Sequence, residues 1–184
     1  MASTQAKSSL NRPDRTARIF VGICPSQAIR KALTQYQKAW IWNPRVALVP
    51  PSKFHITLYF IGGVERKRMG EIKQALEVAF IPFYLNLDTP ELWAGGIAAL
   101  RPSKLPEEFL ILHTALTERI RELGLPVETR EMKIHLTLAR KARGATCPRQ
   151  NYETVWPVRG YALLESRLDS ADPYKVLHKY SHSG

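Results

Sequence analysis

The stretch FHITLYF at 54–60 and the stretch IHLTLAR at 134–140 carry one pattern eighty positions apart (135 − 55 = 80). With the lysines that precede them, both read Lys, apolar, His, apolar, Thr, Leu: Lys53 to Leu58 and Lys133 to Leu138. A strand places alternate residues on opposite faces, so His and Thr share one face and the apolar residues the other. Phe54, Ile56, Leu58 and Phe60 are expected to bury one side of the first strand, with His55, Thr57 and Tyr59 on the opposite side. Ile134, Leu136 and Leu138 repeat this in the second, leaving His135 and Thr137 together.

Coincidence does not account for the pair. With 5 His, 11 Thr and 21 Leu in 184 residues, a histidine is followed by x-Thr-Leu with a probability of roughly 0.007, and two such cases among five arise at about 5 × 10⁻⁴. A strand that only packs has no reason to sacrifice burial twice in the same way.

Working outward, ARIFVGI at 17–23 reads as a buried strand. PSQAIRKALTQYQKAW at 25–40 shows helical spacing at Ile29, Leu33, Tyr36 and Trp40. The turn VPPS leads into the His55 strand, which the Gly62-Gly63 pair is expected to stop. VERKRMGEIKQALEVAF at 64–80 predicts an amphipathic helix with Met69, Ile72, Leu76 and Phe80 inward. FYLNLD at 83–88 and GIAALR at 96–101 predict strands, and 106–123 a helix with acids in its first turn and Gly124 as its stop. The last strands are expected within 155–168, in two pieces, and at 174–180. Mixed elements with short turns favour an α+β fold with largely antiparallel sheets. The order strand, helix, His strand recurs, and neither half alone is of a comfortable size. We therefore read residues 1–16 as a flexible tail and 17–184 as a single two-lobed domain.

Composition bounds the partners. The formal charge is +11, from 27 Lys and Arg against 16 Asp and Glu, with a sequence pI near 9.9. Such an excess favours polyanions without separating RNA, DNA and acidic lipid. Cys24 and Cys147 form no CxxC pair, so a reducing compartment is the default. No apolar run approaches a membrane span, and the first residues lack the apolar core of a secretory signal. The expectation is a cytoplasmic monomer with no membrane association.

Two imidazoles and two hydroxyls converging on one volume have a definite chemistry. A neutral ring and a protonated ring, each titrating near ~6.5, form a general base facing a general acid. Thr57 and Thr137 supply hydroxyl donors to an oxyanion between them. A phosphodiester fits this arrangement. Zinc is disfavoured because no third ligand accompanies the pair, and Lys53 and Lys133, on the histidine parity, would repel a cation; both lysines are instead candidates for binding the substrate.

The paired His-x-Thr-Leu strands, the flanking FIGGV and HLTLAR, and the late LLESRL and YKVLHKY resemble the two-histidine phosphoesterase superfamily. Within it the chain is most similar to the RNA 2′,3′-cyclic phosphodiesterases, also called the 2′-5′ RNA ligase family, over about residues 17–180. The resemblance implies two pseudo-symmetric lobes, each a mainly antiparallel sheet with helices outside, and an active site in the cleft between them. It implies no metal or other cofactor, and hydrolysis of a terminal 2′,3′-cyclic phosphate, on RNA or a small cyclic nucleotide, to a 2′-phosphate. By motif, His55 resembles the proton donor and His135 the proton acceptor, although pseudo-symmetry alone does not say which is which. The reverse reaction on 2′-5′ linkages, and an RNA-binding module without turnover, remain as alternatives.

Among supporting residues, Arg140 has the wrong parity for the histidine face in a regular strand, yet the resemblance suggests a phosphate or RNA contact there. Lys141, Arg143 and Arg149 make the next loop basic, suited to RNA backbone or simply solvated. Tyr59 is a candidate for stacking a terminal base, against a role at the core edge. Trp40, Trp42, Trp93 and Trp156, with His113, read as packing residues. His178 and His182 lie near the C-terminus. Glu165 and Ser166 match the family's late strand without a derivable role.

Overall fold

The computed structural model describes residues 15–127, 133–148, 154–167 and 174–181. Arg149 and His182 therefore lie outside the described residues. Among the described residues, ten strands and three α-helices follow one another as β1 Thr16–Ile23, α1 Gln27–Ala39, β2 Ala47–Leu48, β3 Ile56–Glu65, α2 Met69–Ala75, β4 Phe83–Leu87, β5 Thr89–Trp93, β6 Ile97–Arg101, α3 Glu107–Glu122, β7 Leu136–Arg140, β8 Thr154–Val158, β9 Gly160–Ser166 and β10 Tyr174–Ser181. The fold is α+β and antiparallel throughout its described strand pairs.

The two lobes are halves of one sheet. Its order is β10-β9-β1-β3-β7-β6-β5, with β2 also on β7, while β4 and β8 form a separate ribbon. The motif strands β3 and β7 meet at the centre through a single residue pair, Ile56 with Leu136. Beyond it they diverge, and that divergence opens a cleft between the lobes.

Each long helix crosses to the opposite half. The Gln37 amide of α1, which follows β1, donates to the carbonyls of Val49 and Leu138 in the far lobe, at 2.9 and 2.7 Å. In return α3, which follows β6, packs on β3, with the His113 ring 6.0 Å from that of Tyr59. Buried residues of both halves consequently form one continuous core, from Ile19 and Ile56 to Leu136 and Leu138. Ser26 caps α1 through its hydroxyl, as its residue type favours. The α3 stop is a Schellman turn: Gly124, at φ +66°, donates to Arg121 and Leu125 to Ile120.

Three local expectations need correction. β3 does not end at Gly62-Gly63 but runs on to Glu65, because Val64 and Glu65 continue the pairing with β1 and Gly62, at φ +92°, absorbs an irregular step. The helix expected over 64–80 is confined to Met69–Ala75 after a 3-10 turn at Arg66–Arg68. Its inward residues Ile72, Leu76 and Phe80 are nonetheless buried. The distant Tyr161 hydroxyl ends it, donating to Leu76 O at 2.8 Å and accepting from Val78 N at 3.1 Å. TPELW at 89–93, unassigned from sequence, forms the edge strand β5, where Pro90 is tolerated.

Gly22 of β1 packs directly against the motif strand. A Cβ there would sit 2.9 Å from the Ile56 carbonyl oxygen, whereas one on Gly63 would meet nothing within 4 Å. Gly22→Ala is expected to cost about 1–3 kcal/mol in urea unfolding, and Gly63→Ala to stay within about 0.5 kcal/mol of the parent.

Candidate active site

Burial along the two motif strands is identical position by position. Residues 54–60 and 134–140 both run buried, half-buried, buried, half-buried, buried, buried, exposed. Strict alternation fails at the fifth and sixth places in each copy, and the strand registers give the cause. Val21 faces Tyr59 while the next residue, Gly22, faces Thr57, so Leu58 is an extra residue in β3. Ala98 faces Ala139 while Ala99 faces Thr137, so Leu138 is an extra residue in β7. The leucine of each His-x-Thr-Leu is thus a β-bulge, and a bulge exchanges the faces of everything after it.

This exchange decides which side chains reach the cleft. Tyr59 turns into the core, 4% exposed, while Phe60 turns out, 41% exposed, and lines the cleft. The structure therefore does not bring Tyr59 to the site, and the aromatic candidate there is its neighbour. In the second strand Ala139 is buried and Arg140 emerges on the histidine face. The apparent parity conflict at Arg140 was an artefact of assuming a regular strand. Phe60 and Arg140 are pseudo-symmetry mates (140 − 60 = 80), one supplying a ring and the other a charge.

His55, Thr57, His135 and Thr137 all line one cleft of about 490 Å³. An antiparallel crossing at Ile56 and Leu136 sets the His55–Thr57 arm against the Thr137–His135 arm, each histidine nearer the other strand's threonine. Lys53 also lines the cleft; Lys133 is exposed and does not. Both lysines nevertheless matter through their backbone. His55 Nδ1 is 2.9 Å from Lys53 O, and His135 Nδ1 is 2.6 Å from Lys133 O. A carbonyl only accepts, so each Nδ1 carries a proton and Nε2 is not engaged by that contact.

Aromatic contacts seat the two rings. His55 lies against Phe20 and edge-on to Tyr174, with centroids 5.2 and 4.7 Å away. His135 lies edge-on to Trp93 at 4.6 Å, and the Trp93 indole N–H donates to Glu91, which also pairs with Arg101 at 2.8 Å. Trp93 packs as its residue type suggests, but on a motif histidine. Trp40 and Trp42 stack together near α1, and Trp156 is buried. Arg18, whose guanidinium lies 4.8 Å over the Phe60 ring, and Ser166 complete the lobe-one wall. Glu165 is buried beneath, ion-paired with Arg66 and Arg167 rather than facing the cleft. His113 stacks on Phe109 as expected, and His178 packs on Tyr180.

Arg18, Phe20, Phe60 and Tyr174 escaped the sequence reading. A signal existed for Phe60: the apolar doublets Leu58-Tyr59 and Leu138-Ala139 break alternation at equivalent places, which is the trace of a bulge. Nothing local pointed to Arg18 or Tyr174, which strands β1 and β10 bring in from both ends of the chain.

Electrostatically the cleft holds Arg18, Lys53 and Arg140 and, among the described residues, no acidic lining residue. Burial lowers the pKa of His55 below its usual value, with further lowering from the charges of His135 and Arg140 against the opposing Lys53 carbonyl. Burial likewise lowers His135, aided by Arg101 and Arg140 and opposed by the Lys133 carbonyl and Glu91. A charge on His135 adds to the lowering at His55, so the site disfavours holding both rings protonated.

A family model described as LigT like Phosphoesterase matches residues 23–96. An RNA 2′,3′-cyclic phosphodiesterase of Thermus thermophilus is 30% identical, over 91% of this chain and 91% of its own length. The chain belongs to the LigT-like phosphoesterase family. Another RNA 2′,3′-cyclic phosphodiesterase, from Bacillus subtilis, is 24% identical over 93% of this chain and all of its own. Among solved structures, E. coli LigT complexed with 3′-AMP superposes with a TM-score of 0.78 at 21% identity, covering 92% of this chain and 99% of that one. That likeness concerns the fold. Among the described residues no helix is long and apolar enough to cross a membrane.

The histidine shifts carry a stability prediction for this LigT-like domain. Folding disfavours the protonated rings, so the unfolded chain binds more protons once the pH drops below about 6.5. The contribution is present above that value and is lost as pH falls from it through the lowered folded values. Denaturant titrations from pH 7.5 to 5 should show the parent losing more stability than His55→Asn/His135→Asn, in which the amide nitrogens retain donors for the two lysine carbonyls.

Proposed function

We propose that this protein hydrolyses RNA 2′,3′-cyclic phosphate ends to 2′-phosphomonoesters with a two-histidine acid–base pair and no metal ion. The observation that carries the proposal is the symmetric pair of imidazoles in one cationic cleft, each with Nδ1 engaged and Nε2 left over. The names of the curated relatives support the same activity. In this reading the cyclic phosphate sits between the two strands. The Thr57 and Thr137 hydroxyls donate to its non-bridging oxygens, and Arg140 offsets the charge that builds during attack.

On the motif assignment, His135 Nε2 takes a proton from a water molecule, whose oxygen attacks phosphorus. The P–O3′ bond breaks in line, and His55 Nε2–H protonates the departing 3′ oxygen. The product holds a 2′-phosphate and a free 3′ hydroxyl, and the two rings end with their protonation states exchanged. The cycle starts from the pair with one ring protonated and one neutral. The donors near the reacting centre are hydroxyls and cations, and Glu91 is occupied by Trp93 and Arg101. That donor set suits a phosphoryl group better than a metal ion.

Product analysis on a short RNA ending in a cyclic phosphate, with EDTA present, tests this directly. A 2′-phosphate product is expected; a 3′-phosphate, or activity that EDTA removes, would refute the mechanism. His55→Asn and His135→Asn should each lower kcat/KM by roughly 10²–10⁴ with an unchanged fold by circular dichroism. Phe60→Ala should raise KM about tenfold, near the low end of what a base–aromatic stack contributes, while Tyr59→Phe leaves it unchanged.

A further inference from the structure

Beside the catalytic cleft lies a second cavity of about 460 Å³ that shares Lys53, His55 and Tyr174 with it as a common wall. Among the described residues its lining contains the cations Arg30, Lys53, Arg159 and Lys179, and no acid. The amino end of α1 opens here through Ser26, with no acidic residue in its first turn to neutralise the helix field. The Arg30 Nε is buried without a hydrogen-bond partner among the described residues. Cys24 also lines the cavity; burial raises the pKa of its thiol, and the charges of Arg30 and Lys179 act against that rise. Trp156, Phe54 and Ile23 supply an apolar floor.

We propose that this second cavity is a subsite for the internucleotide phosphate that precedes the terminal cyclic phosphate, so that the enzyme reads an RNA chain rather than a single nucleotide. The inference rests on the function proposed above. A strand whose end lies between His55 and His135 can pass the shared wall and present its next phosphate to cations already in place. The other basic surface, with Arg45, Lys141 and Arg143, shares no lining residue with the catalytic cleft. A chain leaving the cleft passes to the second cavity over the shared wall of Lys53, His55 and Tyr174.

The test compares a 2′,3′-cyclic mononucleotide with a trinucleotide ending in the same cyclic phosphate. The parent should favour the trinucleotide. Arg30→Gln, and separately the exposed pair Arg159→Gln/Lys179→Gln, should raise KM for the trinucleotide about tenfold, the size of one lost charged hydrogen bond. Their kinetics on the mononucleotide should not change. A parallel reading needs no turnover: binding of a 3′-phosphorylated trinucleotide should lose about 0.7 of its logarithmic salt slope per phosphate contact removed. Equal loss on both substrates, or loss on neither, overturns the subsite. So does a Arg45→Gln/Lys141→Gln/Arg143→Gln variant that alone abolishes the trinucleotide preference. Absent hydrolysis of either substrate by the parent refutes the proposed function, and the binding series then decides the subsite by itself.

Discussion

One contact between main chains, Ile56 with Leu136, holds the geometry of this molecule together. It is the sole described pair between the central strands, and it joins two four-strand groups into a continuous sheet. Had the strands paired along their full length, hydrogen bonding would have closed the space between them. Because they separate on either side of that pair, side chains that a flat sheet would spread apart are gathered around an open cleft. The reciprocal crossing of α1 and α3 braces this arrangement, since each helix buries apolar surface belonging to the other half.

The bulges at Leu58 and Leu138 are the second constraint. A regular strand can offer one face to the cleft only at alternate positions, which would assign Tyr59 and Ala139 to the neighbourhood of the chemistry. One extra residue in each strand reverses that choice and delivers Phe60 and Arg140 instead. The two copies keep the same backbone device but differ in the side chain it exposes. A symmetric scaffold thereby holds an asymmetric site, with a ring and its attendant Arg18 on one wall and a charge on the other. The same asymmetry continues outward, since the second cavity lies on the His55 side.

Much of this was legible in the residues. The faces of His55, Thr57, His135 and Thr137 follow from the strand period, and of the inward set Met69, Ile72, Leu76 and Phe80 the last three are buried and Met69 half-buried even though the helix is short. Helix limits and strand ends were less legible because distant partners set them. The Tyr161 hydroxyl ends α2, and pairing to β1 carries β3 past its glycines. Tyr59 was misplaced for a related reason: parity counting assumes one residue per step, and the opposite strand imposes two.

The sequence by itself determined that two matched strands would present imidazole and hydroxyl on one side, because that rests on the alternation built into any extended chain. It also determined the polyanion-seeking charge, since this is a sum over residues that folding does not alter. Only the tertiary structure decided which aromatic faces the cleft, which carbonyl orients each imidazole, and which cations gather behind His55. Those depend on register, on strand divergence and on residues far apart in the chain. No local pattern encodes the distance between two segments that meet only after folding.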